Sequence, residues 1–146
     1  MALTPLLLRA APALAARLQR SPSRELQLDV ISQASAQTQG HVVICGYGRV
    51  GQSIGRFLRL EQQEFIALDD DPIRVQEAVA GEENVHYGDS GRIDLLMAVG
   101  MLRARLLVVA VDKTDVALHI VKQARSLHSH LPILVRTRDD SQQAEL

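Results

Sequence analysis

Gly46, Gly48 and Gly51 stand at the spacing G-x-G-x-x-G in the segment Gly46-Tyr47-Gly48-Arg49-Val50-Gly51. A glycine at the first position allows a tight turn, one at the second lets main chain approach phosphate oxygens, and one at the third permits close packing of a helix on a strand. Alone the triplet is a weak signal, because loops carry such spacings by chance. Its setting strengthens it. The run His41–Cys45 before it reads as a buried strand and the residues after it as a helix. The unit closes at Asp69, near the roughly 30 residues of one strand–helix–strand crossover. A helix that starts on such a loop offers unpaired N–H groups and about half a positive charge to a diphosphate. The other reading is a plain turn with no ligand.

Asp69 ends the next apolar run, about 20 residues past the first glycine, where an acid can accept from both ribose hydroxyls. Such an acid repels a 2′-phosphate, and Asp70 and Asp71 add to the repulsion, which disfavours NADP. An ordinary solvated turn acid is the alternative for Asp69; Asp71 reads better as a helix cap, and Asp70 is expected to face water. Arg49 lies in the glycine loop, where it either pairs with a phosphate or sits free on the surface. Gly88-Asp89 follows a third apolar run on the side where an adenine would lie. Asp89 there accepts from the exocyclic amine or caps the next helix. Ala110-Val111-Asp112 is expected to border the nicotinamide or ribose side.

Several chemistries are missing. Neither Tyr47 nor Tyr87 has a lysine four residues on, so the Tyr-x-x-x-Lys pair of short-chain dehydrogenases is absent. His86, His119, His128 and His130 are not paired at a spacing that suggests metal binding or catalysis. Little chain remains to bind a hydride acceptor, which argues against a complete dehydrogenase.

The elements that must position these residues follow from periodicity. Strands are expected at His41–Cys45, Glu64–Asp69, Val85–Tyr87, Leu106–Val111 and Ile133–Arg136. Between them fall a helix with Val50, Ile54, Phe57 and Leu58 on one face and a helix capped by Asp71 with Pro72 at its first position, running to about Gly81. A third, capped by Asp89 or Ser90, ends near Gly100, and a fourth covers Asp115–Leu127. Helix is expected to resume at Ser141. Fully apolar strands alternating with helices call for a parallel sheet with right-handed crossovers. The expected fold is therefore a doubly wound, Rossmann-like α/β sheet of five strands in the order 3-2-1-4-5, with the ligand crevice above strands 1 and 4.

The chain has 146 residues, 47% of them hydrophobic and 23% charged, enough for one compact domain. Two Phe, two Tyr and no Trp leave few platforms for stacking bases, and a net charge of -1 lacks the positive field of a nucleic-acid binder, so no nucleic-acid partner is expected. A lone cysteine, Cys45, in a buried strand suits a reducing, cytoplasmic setting. Residues 21–40, rich in Ser, Gln, Ala and Pro, read as a linker in which Leu26, Leu28, Val30 and Ile31 could dock on a neighbouring surface. Residues 1–24 carry Arg9, Arg17, Arg20 and Arg24 and no acid. A secretory signal, whose charges would precede its apolar core rather than follow it as here, a transit peptide and the cytoplasmic exit of a membrane segment compete for them; taken alone, the segment fits an amphipathic surface helix best.

These residues resemble the RCK (KTN, or TrkA-N) regulatory domains of potassium channels and transporters. The resemblance covers about His41 to Arg138 and rests on Val42–Gly51, Leu68-Asp69-Asp70-Asp71-Pro72, Tyr87-Gly88-Asp89-Ser90 followed by Leu95-Leu96 and Gly100, and Val108–Val111. The Gly-Asp-Ser segment is more diagnostic than the glycine loop. Residues 1–20, with the run Met1–Leu8, are similar to the last turns of the membrane domain of a Kef-type monovalent cation:proton antiporter, which favours the membrane-exit reading. The resemblance implies a sensor on the cytoplasmic face of a bacterial inner membrane that binds NAD(H), AMP or a related adenine nucleotide and pairs as a homodimer. With the linker at 21–40, it divides the chain into residues 1–20 as the end of a membrane domain or a juxtamembrane helix, and a nucleotide-binding domain at 41–146 that stops before a final strand and helix. In Kef systems glutathione and its adducts also act on this domain, although no motif here identifies their site. By motif match Gly46, Gly48, Arg49 and Gly51 would hold the phosphates, Asp69 the ribose and Asp89 the adenosine end. Tyr47, Val50, Asp70, Gly88, Ser90 and Val111 complete the expected site. The competing reading is the cofactor half of an NAD-dependent oxidoreductase; a third is a module whose crevice binds nothing.

Overall fold

The computed structural model describes residues 23–136, so the expectations for residues 1–22 and for a helix at Ser141 fall outside the described residues. The described residues form a parallel sheet of five strands, β1 (Val42–Cys45), β2 (Phe65–Asp69), β3 (Val85–Tyr87), β4 (Leu106–Val109) and β5 (Ile133–Val135), in the order β3-β2-β1-β4-β5. The order reverses between β1 and β4, where Cys45 stands beside Val109 and, on the other side, beside Leu68.

Both faces of the sheet are covered, and the alternation along each strand sorts its side chains between two cores. Val43, Cys45, Ile66, Leu68, Leu107 and Val109 face one way, with Ile31, Leu95, Leu96, Ile120 and Leu131 packed on them. Val42, Ile44, Phe65, Ala67, Val85 and Val108 face the other, under Tyr47, Leu58 and Ala78. Strands buried on both faces must be apolar throughout, which is why β1 reads Val-Val-Ile-Cys with every residue buried.

Helix α1 spans Arg24–Ser35, α2 Arg49–Leu60, α3 Pro72–Ala80, α4 Ile93–Ala98 and α5 Thr114–Leu127, and a 3-10 turn follows α4 at Met101–Arg103. α2 buries Gly51, Gly55 and Leu58, while Phe57 stays 60% exposed instead of joining the core face. The reason is the pair of glycines: a Cβ on Gly55 would lie 2.6 Å from the Tyr47 hydroxyl and 3.1 Å from Phe65. They bring the helix axis close to the strands and turn Phe57 outward. α3 starts as its sequence dictates, with Asp71 Oδ1 accepting from the Ile73 N–H at 2.9 Å and Pro72 in the first turn.

Three elements differ from expectation. α4 begins at Ile93 behind Arg92, with no side-chain cap. Asp89 turns its carboxylate to the Gly91 N–H (2.8 Å), closing a local turn, and Ser90 is buried, so neither is free to start the helix. β4 stops at Val109, where the chain leaves the ladder toward the glycine loop. Within the expected linker, Arg24–Ser35 is helical. Ser23 Oγ accepts from the Leu26 N–H (3.4 Å), and Ile31 and Ser35, one turn apart, are each only 2% exposed. The polar composition covers the outer face, and docking is supplied by tertiary contacts: Ser35 Oγ donates to the Ala98 carbonyl (2.5 Å), and Arg103 donates to the Ser35 and Thr38 carbonyls. No helix among the described residues is long and apolar enough to cross a membrane.

Candidate functional site

A cavity of about 560 Å³ opens at the carboxyl ends of β1, β2 and β4, over the point where the strand order reverses. From the expected set it is lined by Gly46, Gly48 and Arg49 of the glycine loop and by Asp69 and Asp70 after β2. Gly88, Asp89, Ser90 and Val111 line it as well.

Two glycines of the loop are required by the backbone around them. Gly46 adopts φ +93°, and a Cβ there would lie 3.0 Å from the Ala110 main chain. Gly51 packs its Cα against the loop so tightly that a Cβ would fall 2.1 Å from the Gly46 carbonyl oxygen. Gly48 is different: it has an ordinary φ of -73°, and a Cβ would meet nothing within 4 Å. Its side faces open space. Gly48 also precedes α2 without a capping side chain, and no acid stands in the first turn of that helix. The first N–H groups of α2 therefore lack intrahelical acceptors beside a cationic Arg49, a favourable place for an anion.

Asp69 is buried, 3% exposed, and its carboxylate is fixed by the loop it serves. Oδ2 accepts from the Tyr47 N–H at 2.6 Å and Oδ1 from the Asp71 N–H at 2.8 Å. The Arg74 guanidinium, from the first turn of α3, approaches at 3.4 Å. The Asp69 carbonyl accepts from the Gly88 N–H (2.9 Å), which ties the second wall of the cavity to the same residue. An acid oriented in this way suits two vicinal hydroxyls, and the uncapped helix start suits a phosphate. Together the residues fit a nucleoside phosphate.

Three expected residues do not line the cavity. Tyr47 contributes only its main chain; its ring lies under α2, 6.1 Å from that of Phe65, and its hydroxyl donates to Glu83 Oε2 at 2.5 Å. Burial, and then the Glu83 carboxylate, raise the Tyr47 pKa well above the ordinary phenol value. Val50 packs against the core, and Gly51 backs the loop from behind. Cys45, beneath the loop, is fully buried, and burial pushes its thiol up to about 12 against the weaker opposing bond to Ser90, so it is an inert thiol.

The cavity also includes residues that spacing had not singled out. Arg74 pairs with both Asp69 and Asp71, Gln52 donates to the Tyr47 carbonyl at 3.0 Å, and Arg136 pairs with Asp112 at 2.8 Å across the mouth. A usable signal existed for Arg74, one turn after the Asp71 cap, and for Arg136, just past the carboxyl end of a parallel strand; Ala110 and Asp112, expected beside Val111 at the crevice, do line it. Among the described residues no group of three or more His, Cys, Asp or Glu side chains could hold a metal ion.

Comparison with known proteins identifies the family. The family model of the TrkA-N domain matches residues 42–146. The chain is 48% identical over 108 residues to the protein named K(+) efflux antiporter KefB in Alkalimonas amylolytica, covering 74% of this chain and 16% of that protein. It is 36% identical over 140 residues to the glutathione-regulated potassium-efflux system protein KefC of Klebsiella pneumoniae (strain 342), covering 95% of this chain and 21% of that protein. The chain thus spans only a minor part of the length of these relatives. Among solved structures, the Kef C-terminal domain of Shewanella denitrificans in its AMP-bound form superposes with a TM-score of 0.60 at 40% identity, over 68% of this chain and 59% of that one.

Proposed function

Since the chain belongs to the TrkA-N domain family, we propose that it is a regulatory domain that binds an adenine nucleotide, AMP or NAD(H), and through it controls a potassium efflux or cation:proton antiport system. The observation that carries this reading is the pairing of an open phosphate cradle at Gly48 with the carboxylate of Asp69, held by two main-chain amides at the same cavity. Support comes from the AMP-bound state of the similar Shewanella denitrificans domain and from the potassium-efflux names of the relatives.

In this reading the start of α2 and Arg49 neutralise the phosphate, Asp69 selects the ribose, and Asp89 stands at the adenosine end. No catalytic step is assigned to the site. Residues 1–20 then adjoin the protein's own membrane transport domain, residues 21–40 connect the two, and the domain works as a homodimer on the cytoplasmic face of the inner membrane. Glutathione or its adducts act as further effectors. Ligand can bias transport only through different affinities for two states of the assembly.

The test is calorimetric titration of AMP and NADH into the protein and into Gly48→Val. Because a Cβ at Gly48 meets nothing within 4 Å and the backbone there is ordinary, the variant is expected to keep its fold and melting temperature while nucleotide affinity falls at least about tenfold. Equal affinity in the two proteins overturns the reading.

A further inference from the structure

The Gly88–Gly91 turn, one wall of the cavity, is gripped from outside by α1, an element remote from the nucleotide cradle. Gln27, half-buried on α1, donates its side-chain N–H to the Tyr87 carbonyl, the last peptide before Gly88. Gly88 has no slack there: a Cβ would fall 2.7 Å from Leu95 Cδ1 and 3.5 Å from Gln27 Nε2. Three residues earlier on α1, Arg24 Nε donates to Asp94 Oδ2 at 2.9 Å, in the first turn of α4. Arg24 and Gln27 thus hold the chain on either side of the turn that carries Asp89. From the other side, the Asp69 carbonyl takes the Gly88 N–H, and His119 Nε2 lies 3.0 Å from the Gly91 carbonyl oxygen.

We infer that Gln27 is a positioning residue for the nucleotide site: by holding the Tyr87–Gly88 peptide, it sets the place of Asp89 and so the affinity for the adenosine end of the ligand. The inference rests on the nucleotide reading above and adds that affinity depends on the docking of α1. Gln27 acts through the turn and does not itself line the cavity. By reciprocity, a nucleotide that depends on this clamp must in turn strengthen it, so occupancy is reported to α1.

The test compares Gln27→Ala and Gln27→Glu with Ser35→Ala, which loosens the far end of α1 at the Ala98 carbonyl without touching the turn. Gln27→Glu keeps the side chain's size and removes the donor. Amide hydrogen exchange of residues 88–91 in the ligand-free proteins and AMP affinity by calorimetry are measured for each. Both Gln27 variants are expected to exchange faster at 88–91 and to bind AMP about fivefold more weakly, the loss of one hydrogen bond, with Ser35→Ala near wild type in both. Unchanged exchange and affinity in the Gln27 variants, or an equal loss in Ser35→Ala, overturns the inference. A wild-type protein that takes up neither AMP nor NADH overturns the nucleotide reading instead, and the exchange comparison still decides whether Gln27 places the turn.

Discussion

Two glycines of one loop should behave in opposite ways. Gly48→Val removes ligand and spares the fold, whereas Gly51→Ala forces a methyl into the Gly46 carbonyl and costs about 1–3 kcal/mol of stability or more, measured by urea unfolding. Asp69 has a structural duty and, in the proposed reading, a recognition duty, which Asp69→Asn separates. The amide still accepts one main-chain bond, but it loses the charge-assisted acceptor for vicinal hydroxyls. Wild type should prefer AMP to 2′-deoxy-AMP, and the variant should lose most of that preference; an unchanged ratio in competition binding places the sugar elsewhere. The places of Gly46, Gly48 and Asp69 at the cavity were legible in the sequence because they follow from backbone sterics and spacing. Tyr47 was not: a residue inside the loop whose side chain crosses to the opposite core looks, in one dimension, like its neighbours. Arg74 and Arg136 reach the cavity only because separate elements converge there.

At the scale of elements, local signals succeeded where a chemical group has one available use. Asp71-Pro72 starts α3, and Asp71→Ala is expected to lower stability by about 0.5–2 kcal/mol in urea unfolding, with little effect on AMP affinity, since the capped amides belong to Ile73 and Arg74. Asp89 illustrates the opposite case. A carboxylate two residues before Gly91 can close a turn or cap a helix, and only the packed turn decides between them. α1 was hidden for another reason. Its residues are too polar to fold alone, and Ile31 with Ser35 becomes a docking edge only when α4 and the Arg103 guanidinium are present to receive it.

For the whole molecule, strand order was readable from sequence because apolar strands separated by helices allow few right-handed windings. Its response to acid was not, since it depends on which histidines the fold encloses. His41, ahead of β1, is 1% exposed; its Nε2 donates to the Val99 carbonyl at 2.8 Å, and its Nδ1 has no partner among the described residues. Burial holds its pKa below the ordinary 6.5, with Arg103 acting the same way and the Val99 bond and Glu64 opposing; burial lowers His86 as well. The unfolded chain then takes up protons first, so stability is full above about pH 6.5 and declines below it. Urea unfolding at pH 7.5 and 5.5 should show this loss, and His41→Gln should diminish it without abolishing it, because His86 remains. An unchanged pH response in the variant would mean that His41 contributes nothing to it.

Asp69 meets one jaw of the cleft with its carboxylate and the other with its carbonyl, through the amides of Tyr47 and Gly88. One amino acid therefore spans the gap between those jaws, as a pin spans a caliper. In the proposed reading, a cleft spanned in this way measures its guest by fit. Selectivity should accordingly reside in dissociation rates, with entry nearly equal for mononucleotides of similar size.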